Sequence, residues 1–474
     1  MKYAAKAAYF FFTISEIHHY FIEDFKIIVV MKKNILYTGV LLLFATAFLG
    51  VILNYKKKQE QRADFTLQPR NGKLATTDEW KGIQLQYNAI SKELKTSPDN
   101  EKWLLELASL YINEGRITGN NSYYDAAAMQ LVNRVLNKTP NHFDALNYKA
   151  LLLLSQHHFG EALAVAKKAQ NIFSYNAFLY GTITDSQVEL GQYAAAVVSA
   201  DSMIAIKPDL RSYSRVAYLR EIYGDTTGAI AAMKLAVDAG LPGNEATEWC
   251  RVQLGKLYEQ TGNLSYASMH YTIALEKRPY YAPAYAGLAR IAFAKNETTQ
   301  AIGLLQQADS LLSDLTLKEE MAAIYLATGN KQGHQQLYKN IINKMEGAAA
   351  LSAKADSAGH YSDKEMAYAY TELNQLDKAL FHAIQEYNRR PNNIDVNENM
   401  AWVYFKRREN TKAVTHLEKA LVTGNKNPLL LCRAVLIYAA AGNKLKAQDY
   451  AGKVLGLNYA PIASLKKACE QAIQ

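Results

Sequence analysis

Two stretches, LGQYAAAVVSADSMIAIKP (190–208) and QTGNLSYASMHYTIALEKRP (260–279), decide how this chain is read. In each, an alanine stands five residues after a glycine, and a proline closes the stretch: Gly191, Ala196 and Pro208, then Gly262, Ala267 and Pro279. Glycine ends a helix in a left-handed conformation, and proline stops the next one. Small residues in the same helical context recur outward from these two, at Ala162, Ala196, Ala229, Ala267, Ala301, Ala379, Ala413 and Ala447, with His334 holding the equivalent place. The spacings are 34, 33, 38, 34, 33, 45, 34 and 34. A period sustained this long is the mark of a repeat array, and it is sought before any site is.

Each unit has the same inner grammar. A glycine five before the small residue marks a turn at Gly191, Gly224, Gly262, Gly329 and Gly442. A second small residue stands twelve before it, at Ala150, Ala217, Gly255, Ala289, Ala322, Ala367 and Ala401. A tyrosine often follows three later, as at Tyr258, Tyr325, Tyr370, Tyr404 and Tyr438. Two helices joined by a tight turn approach closely only where small residues meet at the crossing, and larger residues then fill the grooves.

This pattern resembles the tetratricopeptide repeat, two antiparallel helices of about 34 residues. MAWVYFKRRENTKAVTHLEKAL (400–421) is a third close match, and the resemblance covers roughly 100–460. It implies an all-α, right-handed α-solenoid. Residues 76–345 are read as a first sub-array, entered through a long helix in 76–98. EGAAALSAKADSAG (346–359) is a small, polar joint, and 360–474 a second sub-array ending in an amphipathic capping helix at 461–474.

Within this register SQHHFGEALAVAKKA (155–169) loses its first look of a metal site. His157 stands where Gly191 stands one unit later, and Phe159 where Tyr193 stands. No third ligand is implied nearby, and a metal needs three or four. The expectation is a pair of exposed turn histidines and no metal. The other histidines of the array fall singly. Cys250, Cys432 and Cys469 form no CxxC pair and read as small buried hydrophobes.

The front of the chain reads differently. ILYTGVLLLFATAFLGVIL (35–53) carries no charge over nineteen residues, enough at about 1.5 Å per residue to span a bilayer core. It is read as an N-terminal transmembrane helix, with 54–75 as a polar linker. Ala45-Thr46-Ala47 has the form of a cleavage site, but the apolar run continues past it. Lys32-Lys33 directly after Met31 looks like a true start, so 1–30 is read as a doubtful extension. The flanking charges favour export of the array over its retention inside.

The formal charge is +9, of which 1–62, with nine Lys/Arg and four Asp/Glu, supplies +5. No basic stripe of the kind that grips nucleic acid runs through the repeats. No HExxH, P-loop or GxGxxG on a strand is found, so neither catalysis nor a cofactor is expected.

Arrays of the resembled family bind extended peptides along the concave face of their first helices. Carried forward by register, that face holds Tyr218, Lys256, Arg290, Phe293, Lys364, Tyr368, Trp402 and Phe405. Aromatic anchors with Lys and Arg suit a partner segment of apolar and acidic residues. The family's Lys/Asn clamp for a terminal carboxylate is missing: the equivalent places hold Asn147 with Leu151, Gly181 with Asp185, and Val252 with Lys256. The expected role is a membrane-anchored scaffold in envelope assembly or quality control. A non-catalytic or sensory subunit of an envelope complex is the alternative, and self-association is left open.

Overall fold

The computed structural model describes residues 39, 41, 43–50, 65–354 and 359–474, with side chains given outside 348–354. The chain divides into two units, Met1–Thr66 and Leu67–Gln474. In the first, residues 43–50 are helical and exposed. No described helix is long and apolar enough to cross a membrane. Most of 1–34 and of the linker 54–64, and part of the segment read as an anchor (35–38, 40, 42, 51–53), lie outside the described residues.

The second unit is helical throughout its described residues. After α1 (Asp78–Thr96) come ten antiparallel pairs: α2 (Glu101–Thr118) with α3 (Asn121–Lys138), α4 (Phe143–Ser155) with α5 (Phe159–Ile172), α6 (Ala177–Glu189) with α7 (Tyr193–Ile206), α8 (Leu210–Ile222) with α9 (Thr226–Asp238), α10 (Glu245–Gln260) with α11 (Leu264–Lys277), α12 (Ala282–Ala294) with α13 (Thr298–Leu311), α14 (Leu315–Ala327) with α15 (Lys331–Lys354), α16 (Asp363–Glu372) with α17 (Leu376–Arg389), α18 (Ile394–Lys406) with α19 (Asn410–Ala420), and α20 (Pro428–Ala440) with α21 (Lys444–Val454). A last helix, α22 (Ala463–Ala472), packs on α20 and reaches α14.

The repeat grammar explains the pairs. Ala150 and Ala162, Ala217 and Ala229, Ala289 and Ala301, Ala367 and Ala379, and Ala401 and Ala413 are all buried at the crossings. Many helix starts are capped by an Asn or Asp side chain, such as Asn176 on the Leu179 amide (3.0 Å) and Asn393 on the Val396 amide (3.0 Å). The repeat tyrosine has a fixed partner on the second helix: Tyr258 stacks on His270, Tyr370 on His382, Tyr404 on His416 and Tyr438 on Tyr450. These partners all stand three residues after the small residue, so those histidines are not scattered singly. Burial holds His270 and His416 neutral, with their pKa values lowered to about 4.

The array coils on itself, because repeats near 200 residues apart in sequence touch. Turns inside the early pairs meet connections between the later ones. The Ser313 amide donates to the Thr118 carbonyl (3.1 Å) and the Tyr361 amide to that of Gln156 (3.1 Å). Asn393 Nδ2 donates to the Glu189 carbonyl (3.0 Å), and the Ile394 amide to Tyr193 Oη (2.8 Å). Asn458 Nδ2 reaches the Ala294 carbonyl (3.0 Å), and Arg278 pairs with Glu79 (2.9 Å). Buried Arg390 bridges Glu386 of its own pair and Glu189 of the coil beneath.

The turn residue five before each small residue has a positive φ throughout: +73° at Gly191, +71° at Gly224, +76° at Gly262, with His157 (+63°), Asn296 (+66°), Asn374 (+57°) and Arg408 (+63°) in the same role. Glycine takes this conformation without a Cβ penalty. At Gly224 there is a second reason: a Cβ would lie 2.2 Å from the Gly424 carbonyl oxygen of the next coil. At Gly191 it would lie 2.4 Å from the backbone of Asn392.

Three readings change at this level. His158, expected to be exposed, is buried: its Nε2 meets the Gly359 carbonyl (2.7 Å), its Nδ1 meets Glu161 (2.8 Å), and its ring stacks on Tyr361 at 4.0 Å. The cause is the second coil, which seats Gly359–Tyr361 on that turn; a single repeat's sequence carries no sign of it. Within the segment read as linker, Arg70 is buried against Glu114 (2.9 Å) and Glu79 (2.7 Å), so the chain from Leu67 belongs to the array. The stretch read as a joint begins as the end of α15, through Lys354. Separately, the buried Cys432 and Cys469 bring their sulfurs to 2.6 Å between α20 and α22.

Two glycine-to-alanine substitutions separate turn strain from coil contact. Gly329 (φ +84°) has open space around it, so Gly329→Ala should cost about 1 kcal/mol. Gly224→Ala should cost about 3 kcal/mol, because the backbone of the second coil must also move. Equal denaturant midpoint shifts for the two would show that the coils do not touch there.

Candidate functional site

The first helices of the pairs line the inside of the coil, and the free space there forms three cavities. The largest, about 940 Å³, is lined from α2 to α10 and includes Asn147, Tyr148, Thr182, Arg215, Tyr218 and Trp249. A second, about 630 Å³, is lined from α10 to α22 and includes Lys256, Arg290, Phe293, Lys364, Tyr368, Trp402 and Arg433. A third, about 360 Å³, shares Arg116 and Trp249 with the first and Lys256, Arg290 and Glu320 with the second.

Of the residues read as groove-facing, Lys256, Arg290, Phe293, Lys364, Tyr368 and Trp402 come together on one cavity. Tyr218 lies in the other, its side chain 42% exposed. Phe405 does not face the channel. It stacks on Trp402 at 5.1 Å and packs in the core between α18 and α20. Trp402 is itself buried, with Arg433 (4.8 Å) and Lys406 (4.9 Å) over its ring.

A polar row one turn away was missed. Tyr148, Thr182, Arg215, Gln253, Glu320, Glu365, Asn399 and Arg433 all stand fourteen residues before the repeat's small residue, and all line the cavities. The signal is the register already used for Lys256 and Arg290, applied three residues earlier, which is the same helix face.

The basic residues of the channel are largely occupied. Arg290 Nε bonds Glu259 (2.9 Å) and its Nη1 bonds Glu320 (2.9 Å). Tyr271 Oη donates to Glu259 (2.6 Å), and its ring is held between Gly255 and Gly287, where a Cβ on either would overlap it. Arg215 holds Asp185 (2.9 Å) and Arg433 holds Glu398 (3.1 Å). In the large cavity the carboxylates Asp125, Asp144, Asp185, Glu189 and Glu221 outnumber the guanidiniums Arg116, Arg211 and Arg215.

Enclosure shows in the acids. Burial, then repulsion from Glu365 and Asp314, pushes Glu319 up to about 7. Burial raises Asp125 to about 6 against the hydrogen bond from Ser155 Oγ (2.6 Å). Burial likewise raises Glu189, Glu221 and Glu398, and lowers Lys256. The expectation of a basic groove for an acidic segment is therefore corrected: the cations are spent on neighbouring carboxylates, and the remaining acids are under-compensated.

Several polar atoms are buried here without a partner: Asn147 Oδ1 in the large cavity, and Asn399 Oδ1, Trp402 Nε1, Arg433 Nε and Glu365 Oε2 around the second. Buried polar groups are nearly always bonded, so such a concentration calls for a ligand or water.

No family model matches this sequence and no curated protein matches it. Among solved structures, the chain is similar to the APC/C hetero-tetramer Cut9–Hcn1, at 16% identity over 78% of this chain and 60% of that one, with a TM-score of 0.42. It is similar to TTC0263, a thermophilic TPR protein of Thermus thermophilus, at 20% identity over 43% of this chain and 99% of that one, with a TM-score of 0.35. It is also similar to a tetratricopeptide repeat protein from Parabacteroides merdae, at 18% identity over 56% and 97%, with a TM-score of 0.32. These likenesses carry no argument about function; the helical-hairpin solenoid stands on its own geometry.

Glu319 offers a direct test of the enclosure. Its folded pKa of about 7 lies above the ordinary carboxyl value, so the folded state holds a proton that the unfolded chain has already lost. Wild-type stability should fall as pH rises from about 4.5 to about 7, then level off. Glu319→Gln, which copies the protonated form, should match wild type near pH 4.5 and be the more stable protein at pH 8. A difference in denaturant midpoint that does not vary with pH would contradict this.

Proposed function

We propose that this protein is a binding scaffold that takes an extended polypeptide segment into the channel of its coil. The observation that carries this reading is the set of partnerless buried groups along the channel, Asn147, Asn399, Trp402 and Arg433 among them, beside exposed Tyr218. An extended segment supplies backbone donors and acceptors at regular spacing, which matches a wall built of repeated positions. The surplus of carboxylates favours a segment with basic and aromatic or aliphatic side chains. The role is that of a scaffold and not of a catalyst, since the acids and bases of the channel are tied to one another in pairs.

The array is further proposed to work at a bacterial membrane, tethered by the uncharged run 35–53 and exported, in envelope assembly or quality control. That placement rests on the sequence of the run and its flanking lysines.

Selection from a display library of short linear peptides tests the channel. Peptides rich in Lys/Arg and aromatic residues should emerge. Tyr218→Ala should weaken them at least tenfold, about 1.4 kcal/mol, while Val198→Ala on the outer surface should leave them unchanged. Binding should tighten from pH 6 to pH 8 as Glu319 loses its proton. Acidic peptides, or basic ones insensitive to Tyr218→Ala, would contradict the proposal.

A further inference from the structure

The turn that the repeat pattern reads as ordinary holds an unusual set of groups. His157, His360 and Glu365 each offer a ligand atom, and these atoms lie within 4.8 Å of one another. They come from opposite coils: His157 from the turn between α4 and α5, and His360 and Glu365 from the entry to α16. The two imidazole rings lie 4.0 Å apart, centre to centre.

Both rings are already oriented as metal ligands are. His157 uses Nδ1 on the Tyr361 carbonyl (2.9 Å), which leaves Nε2 as the free electron pair. His360 hydrogen-bonds the Ser155 carbonyl with its own ring. Metal-binding histidines almost always donate the second ring N–H to a carbonyl or carboxylate, which fixes the tautomer. Glu365 Oε2 is buried with no hydrogen-bond partner. Nearby Arg390 does not compensate it, being held by Glu189 and Glu386.

The position of His157 adds to this. Gly191, Gly224, Gly262, Gly329 and Gly442 hold the corresponding turn elsewhere in a left-handed conformation. Here an imidazole takes it at φ +63° and points at the next coil. His158, its neighbour, is fully committed to Glu161 and Gly359 and is not part of the set.

We propose that His157, His360 and Glu365 bind one divalent cation of the zinc class and that this ion staples the second coil to the first. Two imidazole nitrogens and a carboxylate oxygen form a common zinc ligand set, and a fourth position remains for water or a ligand atom of a partner. Ligand atoms around tetrahedral zinc stand about 3.4 Å apart, so closing this set asks for movements of about 1 Å or less. The role is structural: the ion holds a contact between segments 203 residues apart in sequence, as the spacing of His157 and His360 gives it.

The test is titration of the full chain, stripped with a chelator, with Zn²⁺ and with Co²⁺. One zinc per chain should bind, cobalt should give the visible absorption of a tetrahedral site, and zinc should raise the unfolding temperature. His157→Gly is the decisive variant, because glycine is what the other repeats place there and the turn keeps its conformation. It should lose zinc affinity at least 100-fold, as should Glu365→Gln, while His158→Gln should retain it. Circular dichroism of the stripped proteins confirms that the variants fold. Absence of stoichiometric zinc in the wild type, or its retention in folded His157→Gly, would overturn the proposal.

Discussion

Everything in this molecule depends on how closely the turn inside one helix pair can approach the backbone of the coil above it. At Gly191 and Gly224 the approach leaves no room for a Cβ. The same residues must already be left-handed to close their own hairpins. One small side chain therefore meets two requirements, one local and one spanning two hundred residues of sequence. The closed coil follows from that coincidence, and the enclosed channel follows from the closed coil.

Enclosure then sets the electrostatics. On an open concave surface, Lys256, Arg290 and Glu319 would be solvated and would titrate near their ordinary values. Inside the coil, water is scarce and each charge seeks a partner of the same chain. The Glu259–Arg290–Glu320 arrangement, completed by Tyr271, is one result. The raised acids of the channel are another, since there are too few cations to satisfy them.

Much of this was legible in the sequence. The crossing alanines, the turn glycines and the repeat tyrosines gave the helix pairs and their register, because each is a constraint within about 34 residues. The groove face was legible for the same reason, and six of its eight residues share one cavity. What the sequence hid was the coil-on-coil contact. His157 and His158 read as exposed because nothing within their own repeat covers them; Gly359–Tyr361 does. Phe405 read as groove because the register fixes a face but not how deeply a neighbouring helix overlaps it. The row of Thr182, Gln253, Asn399 and Arg433 was visible in register but scattered in residue type, so no composition signal marked it.

Hydrogen exchange at two backbone amides tests the closed coil most directly. Ser313 and Tyr361 lie in connections between helices, and their amides donate to Thr118 and Gln156 of the coil beneath. Neither bond exists unless the two coils are stacked. Exchange at both sites should be slowed to the rate of the helices around them, and Gly224→Ala should speed it. Exchange at the rate of open loop amides in the folded wild-type protein would mean that the array is an open spiral and that the channel is not enclosed.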